Sequence, residues 1–219
     1  MNGMAYDAFV FDNDGVLTRP TDRSVLTDAI CGAFAEVGVA DPTTEEIETM
    51  LSPTVDSLRA VATAYDLEPA TLWEARERAA IEAQREELAS GRKRTYDDVA
   101  ALDALRAPTA IVSNNQHETI ENVLEHCSLA PFDVWYGREP TLAGIERKKP
   151  EPYYLERAID ELGAENPIYV GDSRVDIAAA DAVGIDAAFV RRDHRREYEL
   201  PTAPTYELES LAGLSELPR

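Results

Sequence analysis

Apolar and polar positions follow two regimes along the chain. Ala8-Phe9-Val10-Phe11 is an apolar run too short for a helix and rich in strand formers, which predicts a buried β-strand. From Asp22 to about Gly91 the period is helical. Leu26, Ile30, Phe34 and Val37 recur at helical spacing behind an N-cap at Asp22 or Thr21. Thr43 and Glu46 make a capping box for a second helix. A third is expected over about 54–65, and a fourth from Pro69 towards Ala89, stopped by Gly91. After Tyr96, strands expected at 109–112, 133–136, 167–170 and 187–190 alternate with helices at 116–126, 152–162, 176–183 and 208–214. This alternation predicts an α/β fold, a parallel sheet covered by helices on both faces, with the helical block inserted after the first strand. No internal repeat or Gly/Ser linker interrupts it.

Composition narrows the class. The 219 residues allow one domain, or one with a smaller appendage, and 44% apolar residues suit a globular core. With 42 Asp+Glu against 21 Lys+Arg, the net charge of −21 repels nucleic acid and anionic membrane surfaces. No run approaches the ~20 apolar residues that span a bilayer. The opening Met-Asn-Gly-Met-Ala-Tyr-Asp lacks the features of a signal peptide, so a cytoplasmic protein with no membrane partner is expected. Cys31 and Cys127 form neither a disulfide framework nor a close metal pair and suit a reducing compartment. Lys93, Lys148 and Lys149 are the only lysines; the other 18 of the 21 basic residues are arginines. An acidic surface with almost no lysine predicts a halophile's protein, its self-repulsion screened by multimolar salt; the bland alternative is an acidic mesophile.

Candidate chemistry lies where the apolar runs stop. Phe11 is followed by Asp12-Asn13-Asp14-Gly15, Val112 by Ser113-Asn114-Asn115, and Val170 by Gly171-Asp172-Ser173, with Asp176 beyond. Parallel strands place their ligand crevice at these carboxyl ends, so up to four carboxylates converge. Such a cluster is costly without a hard cation, and all-oxygen donors suit Mg²⁺. There an Asp can attack phosphorus, a second carboxylate can move protons, and a lysine can neutralise the phosphoryl group. Backbone N–H groups after Ser113, at a helix start, add anion binding.

Four segments, in order, resemble the motifs of the haloacid dehalogenase-like hydrolases, specifically the phosphoglycolate-phosphatase-like branch. They are Phe11-Asp12-Asn13-Asp14-Gly15-Val16-Leu17, Ile111-Val112-Ser113-Asn114, Lys149-Pro150-Glu151-Pro152 and Val170-Gly171-Asp172-Ser173-Arg174-Val175-Asp176-Ile177. Val16 stands where the family often has Thr. The resemblance implies a Rossmann-like catalytic core at 1–17 and 96–219 and a small all-helical cap at 18–95. It implies a Mg²⁺-dependent phosphatase acting on a small phosphorylated metabolite, a phosphoglycolate-like phosphomonoester, through an aspartyl-phosphate. Asp12 is then nucleophile and metal ligand. Asp14 is general acid/base and binds metal through its backbone carbonyl. Ser113, with the Asn114 amide, holds the phosphoryl group, and Lys149 pairs with that group and Asp12. Asp172 completes the metal shell, while Asp176 is an orienting or water-mediated ligand or else a helix N-terminal acid.

Alternatives from the same residues are a sugar phosphomutase and a non-catalytic phosphoryl-binding or regulatory protein. A phosphonate-cleaving relative would need a cap lysine, and only Lys93 lies near the cap; a dehalogenase would lack Asp14. A receiver-like module would lack both Asp14 in this role and the insert. Arg19 and Arg23 leave the core near Asp14, and one of them is expected to meet the substrate's distal group. Arg92-Lys93-Arg94 either steers anions or is a solvated run. Lys148 is expected in solvent, His117 at the surface or on substrate, His126 and His194 without metal, and Cys31 in packing. A monomer or weak homodimer is expected.

Overall fold

The computed structural model describes residues 5–218. Its centre is a six-stranded, all-parallel sheet in the order β3-β2-β1-β4-β5-β6. The strands are β1 (Ala8–Phe11), β2 (Thr109–Gln116), β3 (Val134–Arg138), β4 (Pro167–Gly171), β5 (Asp186–Val190) and β6 (Tyr206–Leu208). β1 is buried on both faces, and alternate side chains serve different cores. Phe9 and Phe11 join Ile111, Ile168 and Val170 beneath Leu102, Ile120, Leu211 and Leu214. Val10 joins Val112 and Tyr169 on the opposite face, beneath Tyr154, Leu155 and Ile177.

Four helices lie between β1 and β2: α1 (Arg23–Glu36), α2 (Thr44–Leu51), α3 (Val55–Ala64) and α4 (Pro69–Ala89). Their caps follow the sequence: Asp22 accepts from the Ser24 N–H, Thr43 and Glu46 form the capping box, and Pro69 opens α4. They share their own core of Ile30, Phe34, Met50, Leu58, Leu72 and Trp73. The two ends of this segment run side by side. The Arg19 N–H donates to the Arg94 carbonyl at 2.9 Å, and the Tyr96 N–H to the Leu17 carbonyl at 3.0 Å.

The remaining helices are α5 (His117–His126), α6 (Leu142–Arg147), α7 (Tyr153–Leu162) and α8 (Arg174–Val183). One expected helix is corrected. Over 208–214 the chain ends β6 at Leu208 and then makes a 3-10 turn at Leu211–Glu216. The leucines at 208, 211 and 214 are spaced by three, the period of a 3-10 turn, and Leu208 belongs to the strand paired with Val190. A second 3-10 segment, Asp97–Ala104, and the short α6 carry too few periodic positions to be read from sequence. Among the described residues, no helix is long and apolar enough to cross a membrane.

Candidate active site

The ends of β1, β2 and β4 converge as the polarity pattern requires. Past Phe11 the chain turns at once: the Asn13 carbonyl accepts from the N–H groups of Leu17 and Thr18 at 2.9 and 3.0 Å. Gly15 sits in this turn at φ +91°, and a Cβ there would lie 2.2 Å from Asp172 Oδ2. Only glycine allows both the backbone conformation and the close approach of the two acidic loops.

Lys149 is buried at the centre, its Nζ 3.0 Å from Asp12 Oδ1 and 2.7 Å from Asp176 Oδ1. Nζ also donates to the Val112 carbonyl at 2.9 Å and to Tyr169 Oη at 2.6 Å. Burial pulls on its proton, but Asp12 and Asp176 outweigh that and hold the amine above its ordinary range. Burial pushes the Asp12 carboxyl up to about 7; Lys149 opposes this, while Asp176 and Asp172 reinforce it. The Asn114 side chain clamps the Lys149 backbone, donating to its carbonyl at 2.8 Å and accepting from its N–H at 2.7 Å. Ser113 is buried beside Asp12 and Asp14 in the same cavity, and its Oγ accepts from the Asn115 N–H at 3.2 Å.

Asp14 has a different partner. Its Oδ1 pairs with Lys93, whose ammonium also reaches the Arg19 carbonyl and Thr21 Oγ1 at 3.3 and 3.2 Å. Its Oδ2 accepts from Asn115 Nδ2 at 2.7 Å. Burial raises the Asp14 carboxyl, but Lys93 and the amides of Asn115 and Asn13 prevail and hold it below the usual range. Lys93 is thus neither a solvated run nor a steering charge, but a fully buried counter-ion.

One carboxylate oxygen each from Asp12, Asp172 and Asp176 lie within 4.8 Å of one another, an all-oxygen set able to hold a hard cation. The three differ in freedom. Asp176 is already saturated: Oδ1 faces Lys149 and Tyr169, while Oδ2 accepts from the Asp172 N–H, the Ser173 N–H and Ser173 Oγ. It is both the helix N-terminal acid and the anchor of Lys149. Asp172 meets His194 Nε2 at 2.8 Å and Arg195 Nε at 3.1 Å through Oδ2. The Asp14 carboxylate stands outside this trio.

Asp12, Asp14, Ser113 and Asn114 line a cavity of about 290 Å³ whose further wall comes from α4, β3 and Lys148, with Arg138 Nε donating to the Asn114 carbonyl at 3.3 Å. That wall was not legible as a site. Arg76 and Glu77 of α4 and Arg138 of β3 are buried together, Glu77 pairing with both arginines at 2.8 Å. The signal was present in α4, where Trp73, Arg76, Glu77, Ala80, Gln84 and Leu88 recur at helical spacing and all are buried. Arg19 and Arg23 do not line this cavity. Arg19 lies over the Tyr96 ring and Arg23 pairs with Glu48, both beside a neighbouring surface cleft. Arg76 and Arg138 line the cavity instead. Lys148 is not solvated either: its Nζ donates to the Pro53 carbonyl at 2.7 Å and Ser52 Oγ at 3.2 Å. His117 accepts from the Gly137 N–H and serves the strand end.

Comparison with known proteins agrees with this geometry. A family model described as haloacid dehalogenase-like hydrolase matches residues 6–184. The chain belongs to that family. Among curated members, the pyrophosphatase PpaX of Halalkalibacterium halodurans is 30% identical over 138 residues, 62% of this chain and 63% of that protein. A phosphoglycolate phosphatase of Neisseria meningitidis is 34% identical over 93 residues, 41% of this chain and 38% of its own. These matches span less than two thirds of the relatives' lengths. Among solved structures, CbbY from Rhodobacter sphaeroides in complex with phosphate aligns over 95% of this chain and 96% of its own. Its TM-score is 0.71 at 21% identity, a likeness of fold.

Proposed function

We propose that the protein is a Mg²⁺-dependent phosphatase that hydrolyses a small phosphomonoester through an aspartyl-phosphate on Asp12. The observation that carries this reading is the pairing of two carboxylates in one cavity with two different lysines: Asp12 with Lys149, and Asp14 with Lys93. Each carboxylate can then take a separate role. Asp12 and Asp172 would hold the metal through carboxylate oxygens and Asp14 through its backbone carbonyl, with Asp176 as the orienting residue. The all-oxygen trio suits that ion, and burial, reinforced by Asp176 and Asp172, pushes the Asp12 carboxyl towards its uncharged form, a cost that a cation would relieve. When bound, Mg²⁺ supplies charge that neutralises this cluster and the phosphoryl oxygens.

The Asp12 carboxylate attacks phosphorus, the ester P–O bond breaks, and the leaving oxygen takes a proton from Asp14. An entering phosphate dianion raises the proton affinity of Asp14, so this proton is gained as substrate binds. In the second half Asp14, ionised again beside Lys93, removes a proton from the water that attacks the acyl phosphate, and Asp12 is released with inorganic phosphate. Ser113 and the Asn114 N–H hold the transferring oxygens, and Lys149 offsets their charge. Residues 18–95 act as a cap over the core at 1–17 and 96–219, hinged where 17–19 and 94–96 run together.

The test is phosphate release from a panel of small phosphomonoesters with Mg²⁺ in multimolar KCl, the salt chosen for the halophilic composition. Turnover that requires Mg²⁺ and disappears in Asp12→Asn is the expected result. A folded protein that releases no phosphate from any ester contradicts it.

A further inference from the structure

Within the acidic trio, Asp12 and Asp176 share Lys149, whereas Asp172 draws its charged partners from another part of the chain. Both come from one short 3-10 turn, Asp193–Arg195, just after β5. His194 Nε2 and Arg195 Nε meet the same atom, Asp172 Oδ2, at 2.8 and 3.1 Å. A carboxylate oxygen only accepts, so His194 carries a proton on Nε2 in this contact. Oδ1 of Asp172 makes no hydrogen bond among the described residues. The aspartate is therefore held by one oxygen and leaves the other open.

The turn that supplies these donors is itself anchored. Arg191 Nη1 donates to the carbonyls of Arg195 and Tyr198 at 3.0 and 3.2 Å. The Arg195 guanidinium lies 4.5 Å from the Tyr198 ring, and that ring stacks on Phe189 of β5 at 6.3 Å. Tyr198 Oη accepts from the Arg174 N–H at the start of α8, the helix that carries Asp176. His194 reaches Asp172 from the surface cleft beside Arg19 and Tyr96, and it does not line the catalytic cavity. Asp172 is buried, while the His194 and Arg195 side chains are about one-third exposed.

We propose that His194 and Arg195 are positioning residues of the metal site, which hold Asp172 by Oδ2 from the surface side and keep Oδ1 available to the ion. This rests on the reading that the acidic trio holds Mg²⁺, and not on the chemistry of phosphate release. A ligand whose orientation is fixed beforehand loses less freedom when it coordinates, and the hydrogen-bond partners of ligating groups change metal affinity by about 10- to 100-fold. Arg195 also sets a permanent charge near a dication, which opposes binding, so the orienting effect is read most cleanly at His194.

The test is calorimetric titration of metal-free protein with Mg²⁺ in KCl, with no substrate present. His194→Ala removes the donor. His194→Gln keeps an amide N–H near the place of Nε2, and His194→Asn carries the same amide one bond short. The Mg²⁺ Kd is expected to weaken about 10-fold or more in His194→Ala and His194→Asn, with most of the affinity restored in His194→Gln. A merely structural role for the turn predicts no such difference between the two amides, and the exposed position lets the amide variants carry the test if His194→Ala folds poorly. Equal Kd values in all four proteins overturn the proposal. So does tighter binding in His194→Ala, which would make the turn a counter-ion that Mg²⁺ displaces. A wild type that does not bind Mg²⁺ removes the metal reading and this inference together. Binding with the expected pattern but no phosphate release from any ester contradicts the phosphatase alone.

Discussion

In the metal-free protein, Asp12→Asn should stabilise the fold at alkaline pH and lose that advantage in acid. Asp12 is nine-tenths buried, and burial together with Asp176 and Asp172 moves its carboxyl from an ordinary 3.8 to about 7. The folded state therefore binds more protons than the unfolded state between these values, so stability falls as pH rises through that window and then levels off. At about 1.36 kcal/mol per pH unit, the full effect is on the order of 4 kcal/mol, of which about 3 kcal/mol falls between pH 5 and pH 8. Asparagine mimics the protonated acid and has no such dependence, while Lys149 keeps its 2.7 Å contact with Asp176 in either protein. The assay is denaturant unfolding of both proteins in KCl with chelator, at pH 5 and pH 8. The variant-minus-wild-type stability should rise by about 3 kcal/mol across that interval. Adding Mg²⁺ at pH 8 should then favour the wild type, because the ion binds the charged form. If the two proteins keep a constant difference across the pH interval, Asp12 is not held in an under-neutralised cluster.

Two further outcomes follow from neighbouring contacts. Lys93→Met leaves the partly buried Asp14 without its cation and should cost about 2 kcal/mol in unfolding experiments, with most of the loss recovered in a Lys93→Met/Asp14→Asn double variant; a strictly additive double variant would refute the pairing. Gly15→Ala forces a Cβ to 2.2 Å from Asp172 Oδ2 at φ +91°, so it should destabilise by at least about 2 kcal/mol and weaken the thermal stabilisation by Mg²⁺, both read by calorimetry.

The sheet was legible because β1, β2, β4 and β5 are short apolar runs that end abruptly in polar residues, so pattern and strand ends coincide. The acidic trio was legible for the same reason: Asp12 and Asp172 follow those ends directly, and Asp176 opens the helix just beyond. The further wall was hidden because its members come from α4, β3 and the residue before Lys149, and only packing of the helical segment on the core brings them together. Lys93 was obscured by its neighbours. Arg92 and Arg94 make 92–94 read as a charge run, yet the Lys93 side chain is wholly inside while Arg92 pairs at the surface with Glu87. Tyr169 was concealed by its strand, where an aromatic reads as core, although its hydroxyl bonds the Val112 carbonyl at 2.8 Å and contacts Lys149.

The three lysines all stand around one cavity: Lys149 at Asp12, Lys93 at Asp14 and Lys148 on the further wall. Apart from three histidines, every other basic side chain is an arginine, which reagents for primary amines ignore. Lys93 is wholly buried against Asp14 and Lys149 is held as an ammonium ion by Asp12 and Asp176, whereas Lys148 has a free amine fraction near neutral pH and is only half-buried. Amine acylation is therefore concentrated by the fold at one lysine lining the cavity, a natural attachment point for a reporter of ligand occupancy.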